Sequence, residues 1–299
     1  MNSGLRLLGL AAASIVLCVS ARASAYCLTR TCDPNSGSCQ FEGNCIVSGK
    51  PLYWPNSCVS FDVQKDGSAK LQISADTLDT VVTAAFARWL NADCGNGTHP
   101  GLSQIKDFGQ IDCAKPEYNK SQPNANVITF HDSTWTYTNT PDTVALTTVF
   151  FDGDTGEIYD ANVEINSADN DLSADPTGAE MDLNAVITHE LGHFLGLSHT
   201  AVSTATMYMS YNPDMTTLDP DDEQGICASL PPGRSTASSD CTPRHGFSGE
   251  CATPDSGCCA TAAGSNTSGN ALGTIAFALG VCAWRGRARL RRAARSRRS

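Results

Sequence analysis

The chain has 299 residues, 41% of them hydrophobic, which is enough for a folded domain with its own core. The formal charge is -11, and it becomes -19 when the eight arginines that follow position 284 are set aside. Such an acidic chain excludes nucleic acid as an expected partner, whereas bound calcium is compatible with it.

Residues 1–25 have the pattern of a signal peptide. Arg6 precedes an apolar stretch at 7–19, and the small residues at 21–25 suit cleavage by signal peptidase. We therefore predict an exported protein, secreted or held at the cell surface, whose mature chain begins near Tyr26.

Twelve of the 14 cysteines lie between this segment and the C-terminal tail. An even number of cysteines in an oxidising compartment predicts disulfides. The alternative for the four between positions 27 and 45 is a zinc ribbon, although their intervals lack the paired spacing of such sites. We predict that residues 26–50 form a cysteine-rich N-terminal extension.

The predicted folded domain spans residues 51–230 and begins with a strand. Alternating apolar and polar residues at 59–64 predict a half-buried strand. After Asp76, apolar residues recur with helical spacing up to Leu90, which predicts a helix with one buried face. The Gly- and Asn-rich stretch between Cys94 and Cys113 is typical of a loop, and we expect these two cysteines to close it.

Three further strands are predicted, at 127–130, 144–151 and 158–165, the last two joined by a turn at 152–156. An acidic loop follows, and Thr177 with Glu180 fits a capping box for the next helix. A strand, a helix and then several strands predict an α+β fold with one mixed sheet.

That next helix carries the sequence HELGHFLGLSH, residues 189–199. His189 and His193 are four residues apart and therefore share one face of a helix, where both can bind one metal ion. Glu190 lies beside them, and Gly196 can end the helix with a positive φ so that the chain returns with His199 as third ligand. HExxH alone is often an ordinary helix, but the complete HExxHxxGxxH spacing is specific for a metal site.

This motif, with Met207 in a following methionine turn, resembles the metzincin zinc proteases and, among them, the matrixins. Tyr208 and Tyr211 also fit the matrixin pattern, and Asp219 with Pro220 suits the start of a C-terminal helix. The resemblance covers about residues 52–230. It implies a metzincin-like catalytic domain with one catalytic zinc on the three histidines.

The residues and the resemblance together predict a zinc endopeptidase. Glu190 would act as general base toward a water molecule that zinc activates, and would then protonate the leaving amine. An extended substrate would pair with the strand edge at 144–150, beside a pocket walled by Tyr211 and Leu146. The alternative is a non-catalytic exported binding module that keeps zinc for structure, against which Glu190 argues.

Two further metal predictions concern the same domain. Vertebrate-type matrixins carry a second zinc on histidines of this strand pair, but residues 144–165 contain no histidine, so we predict no second zinc there. The acidic side chains nearby are candidate calcium ligands, with solvated acidic loops as the alternative; they are Asp152, Asp154, Asp169 and Asp171.

The C-terminal part departs from the matrixin pattern. Residues 231–270 are rich in Cys, Gly and Ser and are predicted to be a linker, and 271–299 combine an apolar segment with the eight arginines. This tail resembles the sorting tail of myxobacterial surface proteins, which implies an address or temporary anchor. A buried helix followed by a basic tail is the alternative. We expect a monomer that touches membrane only through this tail and takes protein or peptide substrates.

Overall fold

A computed structural model describes residues 25–34, 37–137, 142–175, 177, 180–251 and 272–280. These residues form three α-helices, none of which is long and apolar enough to cross a membrane. The helices are α1 (Ala75–Leu90), α2 (Leu183–Phe194) and α3 (Pro220–Ser229). The strands are β1 (Cys27–Leu28), β2 (Phe41–Glu42), β3 (Cys45–Ile46), β4 (Cys58–Gln64), β5 (Gln104–Ile111), β6 (Val127–Phe130), β7 (Thr143–Asp152), β8 (Ile158–Ile165), β9 (Leu172–Ser173), β10 (Met181–Asp182), β11 (Leu197–Ser198) and β12 (Leu272–Gly280).

A six-stranded mixed sheet with the order β12-β7-β8-β6-β4-β5 is the centre of the fold. Strands β5, β4, β6 and β8 run parallel to one another, whereas β7 is antiparallel to both β8 and β12. The predicted α+β class with one mixed sheet is therefore confirmed. The strands predicted from the apolar runs at 127–165 are also present.

Helix α1 packs on one face of this sheet and against α2. Ser74 caps it by accepting a hydrogen bond from the backbone N–H of Thr77 at 3.1 Å. The Phe86 ring lies 5.3 Å from Phe61 on β4 and 5.2 Å from Phe194 on α2, measured between centroids. The predicted apolar face thus joins the sheet to the helix that carries the histidines.

Strand β4 is buried on both faces, so the prediction of a half-buried strand was wrong. Its second face is covered by the segment that follows α3, which is tied to it by the disulfide between Cys58 and Cys241. The backbone N–H of Ser57 also donates to Ser238 at 2.8 Å. The polar residues of β4 therefore point into a covered layer rather than into solvent.

The disulfide predicted between Cys94 and Cys113 was wrong, and the predicted loop holds only up to residue 103. Residues 104–111 form β5, which pairs in parallel with β4 and carries Cys113 away from Cys94 by roughly 25 Å of extended chain. Cys94 is bonded to Cys227 on α3, and Cys113 to Cys251. Both disulfides tie distant parts of the chain together.

The N-terminal extension is held by disulfides, and the zinc-ribbon alternative was wrong. Its four cysteines are bonded in two pairs, Cys27 with Cys45 and Cys32 with Cys39. Strand β1 then pairs with β11, immediately before the third histidine of the motif. The predicted signal peptide, except for Ala25, and the arginine-rich end lie outside the described residues, as do Cys258 and Cys259.

Candidate metal centre

Helix α2 begins at Leu183, with Asp182 as its N-cap. The Asp182 carboxylate accepts from the Asn184 backbone N–H at 2.9 Å. The capping box predicted at Thr177 and Glu180 was wrong, because pairing between β9 and β10 keeps the chain extended through Asp182. The whole helix from Ala185 to Phe194 is buried, so its position is set by packing on every side.

The chain turns sharply after α2, as the glycine in the motif predicts. Gly196 has φ of 97°, and a Cβ there would lie 2.9 Å from Ser229 Oγ and 3.1 Å from the Leu52 carbonyl oxygen. The Trp54 indole N–H donates to the Phe194 carbonyl at 2.8 Å, which closes the end of the helix. After this turn the chain runs back toward α2, which places His199 close to His189 and His193.

The Nε2 atoms of His189, His193 and His199 converge on one point. Their three separations are 3.1–3.2 Å. The Nδ1 atom of His189 contacts the Thr206 carbonyl at 2.6 Å, and that of His193 contacts the Leu197 carbonyl at 2.9 Å. Since a carbonyl only accepts, both Nδ1 atoms carry the proton, and both Nε2 atoms present lone pairs to the common point.

A tetrahedral zinc ion fits this geometry. Two nitrogens that each lie at the usual zinc distance are about 3.3 Å apart, close to the observed separations. Burial lowers the pKa of His189 to about 3 and of His199 to about 4, and it holds the pKa of His193 well below its usual range. Neutral imidazoles are the form that binds metal, so the three histidines fit the ion that the motif implies.

Glu190 is buried next to this point and is held by β7. The Thr147 hydroxyl donates to its Oε2, whereas Oε1 has no hydrogen-bond partner among the described residues. Burial raises the pKa of Glu190 to about 8, and the Thr147 bond opposes that rise. Thr147 was not found by sequence reasoning, because only the packing of β7 against α2 brings it near Glu190.

Met207 lies beneath α2, where the predicted methionine turn places it. Its sulfur contacts the backbone at Gly192 so closely that a Cβ on Gly192 would collide with it, and that Cβ would also lie 2.9 Å from Trp89. The preceding residue, Thr206, supplies the carbonyl that holds His189. The turn therefore supports the metal site through packing and through one hydrogen bond.

Asp222 on α3 holds this turn, a role that sequence reasoning missed. Its carboxylate accepts from three backbone N–H groups: those of Thr206 at 2.7 Å, Met207 at 3.0 Å and Asp219 at 2.8 Å. Burial raises its pKa to about 6, against the effect of these bonds. Asp219 and Pro220 are the N-cap and first residue of α3, as predicted.

The part of the chain that forms this arrangement is similar in sequence to known metalloproteases. The matrixin family model matches residues 107–229. The Metalloendoproteinase 1-MMP of Arabidopsis thaliana is 25% identical over 181 residues, which are 60% of this chain and 44% of that protein. The chain thus spans less than half of the length of that relative. The mixed sheet with few helices fits an α+β metzincin-like catalytic domain.

The matrixin match includes the three histidines, Glu190 and the methionine turn. It also includes Tyr211 and Leu146, the two predicted pocket residues. The Tyr211 hydroxyl accepts from the Asp182 backbone N–H at 2.8 Å, at the start of α2, and Leu146 is a buried residue of β7. Their contact with substrate stays a prediction.

The candidate calcium ligands are not brought together by the structure. The two Asp152 carboxylate oxygens accept from the backbone N–H groups of Asp154 and Thr155 and from the Tyr159 hydroxyl, so a local turn uses them. Asp169 accepts from the Asn166 amide at 3.2 Å. None of the four candidates, Asp171 included, belongs to a cluster of metal-binding side chains in the described residues, and calcium gains no support.

Proposed function

We propose that this protein is an exported zinc-dependent endopeptidase. The observation that carries the proposal is the convergence of three neutral histidine Nε2 atoms beside a buried carboxylate, Glu190. A structural zinc site has four protein ligands and no use for such a carboxylate, whereas three protein ligands leave the fourth coordination position open. The matrixin match supports a metalloprotease, and the disulfides are consistent with an extracellular protein.

His189, His193 and His199 would hold the zinc ion. Zinc bound in this way supplies a Lewis acid that activates a water molecule and polarises a peptide carbonyl. Glu190 would take a proton from the attacking water and deliver it to the nitrogen of the leaving amine. Thr147 would fix the Glu190 carboxylate during both transfers by donating to Oε2.

The supporting residues would keep the ligands oriented. The Thr206 and Leu197 carbonyls fix which nitrogen of His189 and of His193 faces the ion. Partners of this kind set ring orientation and ligand basicity in zinc sites. The contact between Met207 and Gly192 would fix the distance between α2 and the methionine turn.

The proposal includes two statements on location and boundaries. Residues 1–25 would be removed on export, and 271–299 would act as an address or temporary anchor. The catalytic unit would be residues 51–230, with 26–50 as an extension and 231–270 as a linker whose first part, up to Cys251, is tied to the unit by disulfides. The protein would act as a monomer on protein or peptide substrates.

Zinc content and peptide cleavage test this function. The purified exported chain should hold one zinc ion per molecule and cleave a quenched peptide library, with cleavage lost on chelation and restored by zinc. Glu190→Gln should keep the zinc and lose at least a hundredfold in kcat. His193→Ala should lose both. A Glu190→Gln variant as active as wild type would refute the general base, and bound zinc without cleavage in any variant would favour the non-catalytic binding module.

A further inference from the structure

Strand β12 occupies the full edge of β7. The pairing is antiparallel and runs from Leu272 opposite Asp152 to Gly280 opposite Thr143. On its other side β7 pairs with β8, so β12 takes the only hydrogen-bonding edge that β7 has left. This is the edge that the sequence predicts for an extended substrate.

The register places one side chain of β12 over the metal centre. Phe277 pairs with Thr147, the residue whose hydroxyl donates to Glu190. Its ring stacks on His193, with centroids 4.2 Å apart and planes 10° apart, and it lies 6.3 Å from the His199 ring. Two of the three metal-binding imidazoles therefore have Phe277 against them.

The composition of β12 fits this position. Gly273, Ile275 and Phe277 are partly buried, whereas Thr274 and Ala276 between them are exposed, as the two faces of a strand require. Ile275 packs against the core of the domain, and Gly273 lies so close to the Phe151 ring that a Cβ would collide with it. The residues of β12 that face the domain are therefore small or apolar, and they fit the surface that they cover.

Covalent attachment makes this contact effective even when its intrinsic affinity is weak. The disulfide from Cys113 to Cys251 fixes the chain 21 residues before Leu272. Attachment of this kind gives effective concentrations on the order of 1 mM. If the segment binds as a free peptide with a dissociation constant of roughly 0.1 mM, the attached segment would be bound in the cleft about ten times as often as it is unbound.

We infer that the edge of β7 with the adjoining metal centre is a docking surface for an extended, uncharged segment with an aromatic side chain over the histidines, and that residues 272–280 are its resident occupant. The regulatory part of this inference rests on the proposed protease activity. Peptide substrates would have to displace β12 to pair with β7, and the full chain would be held at low activity. Displacing β12, for instance while residues 271–299 act as an anchor, or removing it would release the site.

The test compares two lysine substitutions on the same strand of the full chain. Phe277→Lys places a positive charge over the metal centre, where a bound cation repels it, whereas Thr274→Lys adds the same charge on the exposed side. Phe277→Lys should raise kcat/KM for a quenched peptide about tenfold, and Thr274→Lys should stay within about twofold of wild type. Glu190→Gln combined with Phe277→Lys should be inactive, which assigns the cleavage to this site.

Hydrogen exchange gives a second result that does not depend on activity. Amides of residues 143–152 should exchange faster in Phe277→Lys than in wild type and in Thr274→Lys. A synthetic peptide of residues 272–280 should inhibit Phe277→Lys in the high micromolar range, and the same peptide with Phe277→Lys should not.

The outcomes separate the inference from the proposed function. Wild type as active as Phe277→Lys, with equal exchange along β7, would overturn the inference and leave the protease proposal standing. No cleavage by any variant, with β7 exchange raised only in Phe277→Lys, would support the docking surface and refute the protease. No cleavage and no difference in exchange would overturn both.

Discussion

Replacing Asp222 by asparagine should weaken both the fold and the metal site. The carboxylate accepts from three backbone N–H groups in the turn before Met207 and at the start of α3. Asparagine keeps one accepting oxygen. In its better orientation that oxygen retains the Thr206 and Asp219 bonds, and the new NH₂ group faces the Met207 N–H without an acceptor.

The expected loss of stability has two sources: one charge-assisted hydrogen bond is lost, and the Met207 N–H is left buried without an acceptor. We expect a loss of about 2–3 kcal/mol in the free energy of unfolding. Because the Thr206 carbonyl orients His189, a shift of this turn should also lower zinc affinity about tenfold. At pH 8 the group is ionised in both states, since burial raises the pKa of Asp222 only to about 6. The measurement therefore compares a carboxylate with an amide.

Urea unfolding of zinc-free protein with its disulfides intact measures the stability, and competition with a chromophoric chelator measures zinc affinity. Asp214→Asn is the control, because this exposed residue lies on the neighbouring turn. Asp214→Asn should change neither quantity. An Asp222→Asn variant within about 0.5 kcal/mol of wild type, with unchanged zinc affinity, would show that the carboxylate does not hold the turn.

Three further predictions concern the core of the domain. Gly192→Ala should lower Tm by several degrees, because the added Cβ collides with Met207. Adding Met207→Ala should recover part of this loss. An unchanged Tm in Gly192→Ala would contradict the close contact. Burial, with a smaller effect of the Asp107 charge, raises the pKa of Asp62 to about 8, so the folded state keeps a proton that the unfolded state loses near pH 4. The contribution of this group to the free energy of unfolding should therefore fall between pH 4 and 8, by at most about 1.4 kcal/mol per pH unit. In urea unfolding at a series of pH values, Asp62→Asn should depend less on pH than wild type. Equal pH dependence of the two proteins would refute the raised pKa. Replacing Cys94 and Cys227 together by serine should cost about 2–4 kcal/mol in urea unfolding, and peptide mapping of non-reduced wild type should recover these two as a pair, not Cys94 with Cys113.

The parts of the site that are local in sequence could be predicted from the sequence. Helical spacing places His189 and His193 on one face, and a glycine with positive φ at 196 suffices to return His199 to them. The caps of α3 follow in the same way from Asp219 and Pro220. In each case the residues that decide the structure lie within a few positions of one another.

The parts that depend on distant pairing could not be predicted. Residues 104–111 lack a clear alternating pattern and become a strand because β4 offers an edge. Thr147 and Asp222 are ordinary residues until packing brings one to Glu190 and the other to the methionine turn. The apolar run at 272–280 resembles an anchor in isolation, and its pairing with β7 comes only from the tertiary structure.

The long antiparallel edge of β7 also bears on solubility. Nine of its ten residues are buried in the chain that includes β12. A form of the protein that ends near Cys251 would leave the backbone N–H and C=O groups on this side of β7 unpaired, which makes the edge a template for pairing with other chains. Such a form should self-associate in a concentration-dependent way that light scattering detects, and an added extended peptide should suppress it. Pairing with residues 272–280 would therefore also protect this edge from aggregation.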